Sequence, residues 1–450
     1  MWYRPRQNAR RRKRTGNRGI ALIMVLTAIA IFTAVVVDFS YSARVELDLA
    51  ANARDDVRAY FLAKSAVNLS RLVLHFQKQV SSSAQQLGAL GGANGPLGGL
   101  MSQMGGGASS ALAGLPGMGG FNIQLYKLIP IDSGTVEMFL GGAGLGGDAT
   151  ADPFASEGTS GSASGEQVSL PHVGPEGAGQ VKSFGDFDGS YHADIEDEES
   201  KLNVERLNIP SGAIQQVAVM QSMLMFGDKR YEWLFDTEDA NGVRTTAKDV
   251  VANLRDFIDS DSAASAIDPA DPRNPIVSSS GDELSPYTRY KPEYKPKNAP
   301  LDSLDELYLV DGISDRFMAA FRNRLTVYPD ANRAIDINTD DPFMMLMNIY
   351  LAANNPADPV LQNPLTLQQI LTDMQTAKIF PGMGLTVSQF VAILQANKVA
   401  LSPDAQKRLA DQSETFSIHA EGDVGKVHKK LTAVVRTDSG LGTLMYWREE

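Results

Sequence analysis

An uncharged apolar run near the start of the chain limits what the rest of the molecule can be. Residues 20–37 read IALIMVLTAIAIFTAVVV and contain no charged side chain. As a helix rising ~1.5 Å per residue, this run would be about 27 Å long, close to the thickness of the hydrocarbon layer of a bilayer. Residues 1–19 carry eight Lys and Arg side chains and no acid, a distribution that holds this end in the cytoplasm. The sequence therefore predicts a single-pass membrane protein whose body lies outside the cytoplasm.

Three interpretations of this N-terminal region compete. A cleaved secretory signal needs small residues at a cut site after the apolar run, and residues 35–41 (VVVDFSY) suit that poorly. An uncleaved signal anchor stays open. A prepilin leader is cut before the apolar run, and Arg18, Gly19 and Ile20 have the basic–glycine–apolar order of such a site. Glycine suits that site because it lets a peptidase approach the backbone closely.

The residues after the apolar run favour the prepilin interpretation. Residues 38–79 contain no Pro or Gly, and their apolar side chains recur at helical spacing opposite a charged face. We therefore predict a basic leader over residues 1–19 and one stem helix over residues 20–79. The first half of that stem would lie in the membrane and the second half would be amphipathic.

The remainder of the chain is acidic and has no cysteine. The net charge is −12 in spite of the basic start, and the Cys count is 0. A disulfide scaffold, a Cys-based zinc site and a thiol nucleophile are therefore excluded. An acidic body repels nucleic-acid phosphate and has the charge to hold a cation.

The pattern of the body predicts an α+β fold. Glycine-rich tracts over 88–120 and 141–179 make residues 80–190 a low-complexity region, with short strands predicted at 121–130 and 135–140. The GxGxxG string at 142–147 is of the kind that glycine-rich linkers contain by chance, so it does not indicate a dinucleotide site. Further strand patterns fall within residues 191–210 and 411–450, and residues 211–410 read mainly as helices.

The order of the motifs resembles one protein family. Gly19-Ile20 and the long stem are followed by DEESKLN at 197–203, DFIDSD at 256–261, VDGI at 310–313 and IDINT at 335–339. Together they resemble the K-type minor pseudopilins of bacterial type II secretion systems. The resemblance implies a pilin-like α/β domain interrupted by a large all-helical insertion similar to helix-hairpin-helix domains. Counting Ile20 as the first mature residue, Met24 stands at the fifth position, where most pilin-like proteins have Glu and the K-type lacks it.

The resemblance also implies roles for five motif residues. Leu202, with Val204, would point into the core, and Asn203 would bond to neighbouring backbone. Asn338 and Thr339 would form the N-cap of a helix that begins near Pro342, a position where proline is favoured. The fifth motif residue is Lys201, which precedes this core strand.

The function implied by the resemblance is assembly rather than catalysis. A prepilin peptidase would cut between Gly19 and Ile20 and methylate the new N-terminus. The subunit would then join I- and J-type minor pseudopilins at the tip, initiate or cap the pseudopilus, and support protein secretion across the outer membrane. Further implied partners are the major pseudopilin, the inner-membrane assembly platform, and the secretin or cargo. The implied location is the bacterial inner membrane with the body in the periplasm.

An acidic stretch after Asp256 is a candidate calcium site. It resembles a family pattern linked to calcium, although Leu284 stands where an Asp is usual. Ca²⁺ takes six to eight hard oxygen ligands, which clustered carboxylates on a loop supply; a solvated acidic loop is the alternative. The candidate ligands are Asp259, Asp261, Asp268, Asp282 and Glu283.

Two rival functions stay open. Because helix-hairpin-helix proteins present backbone N–H groups to DNA phosphate, the chain could be a membrane-anchored DNA-binding or DNA-uptake protein. Against this, acidic residues surround the Gly312 hairpin and no Lys/Arg cluster lies beside it, so we expect no nucleic-acid partner. An enzyme with an unrecognised site is the other rival, but the sequence has no HExxH, Walker A or GxSxG motif.

Overall fold

A computed structural model of the chain describes most of its body. The described residues are 18–90, 122–135, 189–209, 212–236, 238, 242–268, 271, 275–355, 357–378 and 382–450. The basic segment before residue 18, the GxGxxG string at 142–147 and the strand predicted at 135–140 lie outside these ranges, apart from residue 135. Nearly all of the two glycine-rich tracts lies outside them as well.

The stem is one continuous helix. Helix α1 covers Arg18–Leu90, so it extends eleven residues beyond the predicted end at residue 79. Its N-terminal half is apolar and long enough to cross a membrane, and none of its most apolar window is buried. Its C-terminal half buries small side chains such as Ala59, Ala63 and Ala66 against the sheet. The small residues let the sheet come close, and a Cβ at Gly422 of the facing strand would collide with the carbonyl oxygen of Ala59.

A five-stranded antiparallel sheet packs on this half of the stem. Its strands are Ile131–Asp132 (β2), Ser190–Asp197 (β3), Thr415–Val424 (β11), Val427–Arg436 (β12) and Thr443–Glu449 (β13). They pair in the order β13-β12-β11-β3-β2. Ile418 pairs with Ile195 on one side and with Ala433 on the other. Alternate residues of the strands face α1, as expected for a sheet with one buried face.

The prediction of extended structure over residues 121–130 was wrong for its central part. Asn122–Ile123 is a two-residue strand (β1), but Leu125–Leu128 is a helical turn (α2). The turn forms because this segment joins two domains: β1 pairs with Met383–Gly384 (β9) of the helical domain, and β2 pairs with β3 of the sheet. The sequence of a short apolar run does not predict this change of conformation, because its periodicity fits a helix as well as a strand.

The helical domain lies between β3 and β11 in sequence and has two apolar cores. One surrounds Phe226, Phe257 and Phe317, and the other surrounds Ile349 and Phe390. Its helices are Gly212–Phe226 (α3), Ala247–Ile258 (α4), Asp315–Phe321 (α5), Pro342–Ala352 (α6), Pro359–Gln362 (α7), Pro364–Ala377 (α8), Val387–Ala396 (α9) and Ala405–Arg408 (α10).

Two short parallel strand pairs close the base of the helical domain. Leu202–Asn203 (β4) pairs with Leu325–Thr326 (β7), and Leu409–Ala410 (β10) pairs with Ile335–Asp336 (β8). The two segments that connect the sheet to the helical domain, at β4 and at β10, are therefore each hydrogen-bonded to a strand of that domain. The predicted α+β fold, with a helical insertion between the strands of a sheet carried by a long N-terminal helix, is confirmed.

The acidic stretch contains more regular structure than the predicted loop. Ala263–Ile267 (β5) and Ile276–Asp282 (β6) form an antiparallel ribbon directly after α4. The ribbon returns the chain to the end of α4, which brings residues far apart in the acidic stretch together.

Candidate functional site

Three buried carboxylates meet where α4 ends and β6 returns. Asp256 lies in the last turn of α4, Asp259 is its C-terminal cap, and Glu283 follows β6. One carboxylate oxygen of each residue lies within 4.8 Å of the others, and all three residues are buried. The helix end fixes the first two side chains, and the ribbon positions the third.

Several acceptor oxygens in this acidic cluster have no hydrogen-bond donor. Oδ1 of Asp259, Oε1 of Glu283 and Oδ1 of the neighbouring Asn298 are buried and make no hydrogen bond; Oδ2 of Asp259 makes none either, but it forms an ion pair. Nδ2 of Asn298 lies 3.3 Å from Oε2 of Glu283, and the only nearby cation among the described residues is Arg255, whose Nη1 lies 2.9 Å from Oδ2 of Asp259. Buried acceptors left unpaired are costly, so this group of oxygens suits a bound cation.

The electrostatics of the acidic cluster also favour a bound cation. Burial, together with the negative charges of Asp259, Asp256 and Asp261, raises the pKa of Glu283 to about 7. Burial also raises the pKa of Asp259, against the opposing effect of Arg255. Three carboxyl groups thus share a space with too little positive charge, the condition that a divalent cation relieves.

Only two of the five predicted calcium ligands belong to this cluster, Asp259 and Glu283. Asp261 and Asp282 are exposed, and each accepts a backbone hydrogen bond two residues on, at 2.8 Å from the N–H of Ala263 and at 3.1 Å from that of Leu284. These two carboxylates shape turns. Asp268 lies at the end of β5, outside the cluster.

The sequence reasoning missed two members of the site. Asp256 had a usable signal, because it precedes Asp259 by three residues and the two therefore share one face of the end of α4. Its carboxylate also accepts from the Ser265 N–H, at 3.1 and 2.9 Å. Asn298 had no local signal: its backbone lies at φ 49°, and its N–H donates to the Phe257 carbonyl at 2.9 Å.

The end of the DEESKLN motif, residues 201–203, lies at the base of the helical domain. Leu202 and Val204 are buried. The Asn203 side chain accepts from the Glu205 N–H at 3.0 Å and donates to the carbonyl of Pro329 at 2.8 Å. Asn203 therefore connects the strand leaving the sheet to a distant loop of the insertion.

Lys201 holds two acids of the sheet end. Its Nζ donates to Glu196 at 2.9 Å and to Glu198 at 2.8 Å. Lys201 therefore lies at the junction of the sheet and the helical domain and compensates the negative charge of Glu196 and Glu198 there.

The predicted N-cap at Asn338 and Thr339 was wrong. The cap of α6 is Asp341, whose carboxylate accepts from the Phe343 N–H at 2.8 Å. Asn338 is buried, and its side chain pairs with the backbone of Leu385, accepting at 2.7 Å and donating at 3.0 Å. Thr339 accepts from the Asp341 N–H at 3.2 Å, one step before the cap.

The hairpin that resembles DNA-binding proteins is engaged internally. Gly312 lies at φ 85°, and a Cβ there would lie 2.5 Å from Cγ2 of Thr245. The preceding Asp311 is buried and accepts from the Tyr290 hydroxyl at 2.6 Å and from Arg289. The hairpin is therefore engaged in contacts within the helical domain.

The predicted processing site begins the stem. Gly19 and Ile20 lie in the first turn of α1, and the Ile20 and Met24 side chains are exposed.

Comparison with known proteins identifies the middle of the chain. Residues 200–330, which contain the acidic cluster, Lys201–Asn203 and the Gly312 hairpin, match the family "Type II secretion system (T2SS), protein K". The match supports a K-type minor pseudopilin of type II secretion, a family of structural components of the secretion system.

One solved structure is also similar. A chain in the crystal structure of the GspK–GspI–GspJ complex from the enterotoxigenic Escherichia coli type 2 secretion system has 17% identity and a TM-score of 0.40. The similarity covers 58% of this chain and 80% of that chain. No curated protein matches the sequence significantly.

Proposed function

We propose that this chain forms the tip of the pseudopilus and starts or caps its assembly. The observation that carries the proposal is the position of the helical domain. It is inserted between two neighbouring strands of the sheet and is tied to their ends. A subunit stacked above would have to make room for this domain, whereas the end of a filament has that room.

The stem supplies the surface for its neighbours. In its membrane-distal half, Val57, Phe61 and Phe76 are about half exposed although they are large and apolar. An exposed apolar stripe of this kind is typical of an interaction surface. We assign it to the stems of I- and J-type minor pseudopilins, with the major pseudopilin below; a complex of those types is named in the similar solved structure.

Membrane insertion would precede assembly. The apolar half of α1 would hold the subunit in the inner membrane with its body in the periplasm, next to the assembly platform. A prepilin peptidase would then cut between Gly19 and Ile20 and methylate Ile20. The mass of the mature protein, made with and without the peptidase, tests this step: an uncut chain in both samples would contradict it.

We propose calcium as the ion of the acidic cluster. Asp259 and Glu283 would supply carboxylate ligands, with Asp256 and the side-chain oxygen of Asn298 beside them. The buried oxygens of Asp259, Glu283 and Asn298 that make no hydrogen bond are hard ligands, which Ca²⁺ prefers. When bound, the ion supplies positive charge that fixes the end of α4 to the ribbon.

The tip role is tested by removing the helical domain at its base. The Glu198 N–H donates to the Thr415 carbonyl at 3.0 Å, so a short Gly-Ser linker can replace residues 201–412 without stretching the sheet. The shortened subunit should still be anchored and processed, but secretion and pseudopilus initiation should be lost. The matched control is the full chain with the same linker inserted at Gly425, an open turn. Normal secretion by the shortened subunit would overturn the proposal.

A further inference from the structure

Two buried acids meet where the sheet joins the helical domain. Asp197 ends β3 of the sheet and is 8% exposed, and Asp336 ends β8 of the helical domain and is 1% exposed. Backbone hydrogen bonds hold these strand ends together. The Asp336 N–H donates to the Glu199 carbonyl at 3.2 Å, and the Glu198 N–H donates to the Thr415 carbonyl at 3.0 Å. One carboxyl group from each domain is therefore buried in the interface between them.

A single hydroxyl lies against both carboxyl groups. The Ser413 hydroxyl donates to Oδ2 of Asp336 at 2.8 Å, and the same side chain interacts with Asp197. One oxygen of Asp197 accepts from the Glu199 N–H at 2.8 Å, whereas Oδ2 is buried and makes no hydrogen bond. A hydroxyl has one hydrogen to donate, so Ser413 cannot supply both acids at once. A proton on Asp197 removes this deficit, because it can donate to the Ser413 oxygen.

The acids that face this pair add to its negative charge. Glu199 faces both Asp197 and Asp336, and Asp411 faces Asp336. The Glu199 carboxylate has a cation of its own, since Nε of Arg333 lies 3.0 Å from its Oε2. These neighbours therefore leave the charge of the buried pair uncompensated.

The cations and the phenol near the pair do not compensate it either. In the part of the chain that the structure describes, no Lys, Arg or His forms an ion pair with Asp197 or Asp336. The charge of Asp336 reaches Lys378, but Nζ of Lys378 pairs with Asp340 at 4.0 Å. From α2, Tyr126 faces the pair as a neutral phenol, because burial and the charge of Asp197 raise its pKa. Only protons are left to neutralise the two acids.

The electrostatics of the pair agree with this geometry. Burial and the charge of Asp336 raise the pKa of Asp197. Burial raises the pKa of Asp336 from 3.8 to about 6, against hydrogen bonds from Asn338 and Ser413. The docked domains therefore hold protons that the same carboxyl groups would lose if they were separated. Docking is favoured below these raised pKa values and weakens as pH rises through them.

We propose that the joint between the sheet and the helical domain is a pH-sensitive contact. While one proton stays on the pair of Asp197 and Asp336, the helical domain is held in a fixed position on the sheet. When that proton is lost, two buried carboxylates repel each other and the domain gains freedom to move. The strand pairs at β4, β10 and Asn122–Ile123 keep the domains joined, so the position loosens without unfolding. The inference does not depend on the tip role.

The experiment measures the distance between the two domains at two pH values. The chain has no cysteine, so Lys426→Cys, in the exposed turn between β11 and β12, and Leu365→Cys, on α8, give two sites for nitroxide labels. The full chain in detergent micelles is studied by double electron–electron resonance. The distance distribution should be about twice as wide at about pH 8 as at about pH 5. Equal widths at both pH values would overturn the proposal.

Matched variants test the two acids. Asp336→Asn keeps an acceptor for the Asn338 N–H but cannot ionise, so it should keep the narrow distribution at about pH 8. Asp197→Asn should do the same, and it serves as a second test if the first variant does not fold. Asp330→Asn changes an exposed acid in the loop between β7 and β8, and it should widen with pH as the unchanged chain does. Full widening in both joint variants would overturn the proposal.

One further variant separates the joint from the acidic cluster. The pKa of Glu283 is also raised, by burial and by its acidic neighbours, to about 7. In Glu283→Gln the distance distribution should still widen between about pH 5 and about pH 8. Loss of the widening in this variant would assign the effect to the acidic cluster and contradict a pH-sensitive joint.

Discussion

At the scale of single residues, the acidic cluster combines burial with unused acceptors. Asp259 is 2% exposed and Glu283 is 3% exposed, yet three of their four carboxylate oxygens make no hydrogen bond, and Arg255 forms an ion pair with only one of these three. Such groups destabilise a folded protein unless a cation is present. If the proposed calcium ion binds, the cluster would link the stability of the helical domain to that ion.

Calcium should raise the melting temperature of the full chain. At a free concentration a hundred times Kd, a single site adds ~2.7 kcal/mol to the free energy of unfolding. Asp259→Asn should abolish most of this gain, whereas Asp282→Asn, an exposed neighbour in the same stretch, should keep it. Differential scanning calorimetry with calcium and with EGTA measures the effect. Equal gains in both variants would contradict the assignment.

Without calcium, stability should fall as pH rises. The pKa of Glu283 is about 7 in the folded chain against an ordinary value of 4.5. Between these two values the folded state therefore binds more protons than the unfolded state, and the free energy of unfolding decreases as pH rises through that window.

The control for this pH effect is Glu283→Gln. Its melting temperature, measured in EGTA, should depend less on pH between about 4.5 and about 7 than that of the unchanged chain. Identical pH profiles would show that Glu283 does not titrate in that range.

At the scale of elements, the contact between stem and sheet depends on close backbone approach. Gly422 of β11 leaves no room for a side chain next to the Ala59 carbonyl of α1. The tight contact explains why the facing residues of the stem are alanines.

Gly422→Ala should loosen this contact and lower the free energy of unfolding by ~1–3 kcal/mol, the usual cost of overpacking. Gly281→Ala is the matched control: it lies on exposed β6, where a Cβ would be in ordinary contact with Ala264 at 3.4 Å. Urea denaturation of both variants measures the difference. A Gly422→Ala variant as stable as the control would mean that the stem and sheet can separate slightly at no cost.

Elements with a long periodic pattern were predictable from sequence. The stem, α4 and the closing strands have such patterns. The helical turn at Leu125–Leu128 was missed, because it follows a strand, Asn122–Ile123, that pairs with Met383–Gly384, more than 250 residues away in the chain.

The candidate metal site was also predicted only in part, because some of its members are brought together by contacts that are distant in sequence. The acidic stretch was visible in the sequence, and so were Asp259 and Glu283. The contribution of Asn298 depends on a left-handed backbone at one position and on the return of the ribbon. Neither property leaves a local pattern, so sequence reasoning placed too many ligands in the exposed turns at Asp261 and Asp282.

At the scale of the whole molecule, one long helix carries two domains of different kinds. The sheet packs directly on the stem, whereas the helical domain is attached through β4, β10 and the segment Asn122–Ile123. This arrangement suits the proposed tip position, in which the stem would join the filament and the helical domain would lie at its end.

The most direct test is to locate the helical domain on assembled pseudopili. The chain has no cysteine, so Leu365→Cys, at a residue that is 75% exposed on α8, gives one site for maleimide-gold. Electron microscopy of labelled pseudopili should show gold at one end of each filament and none along its length. Gold spaced along the filament would contradict the tip position.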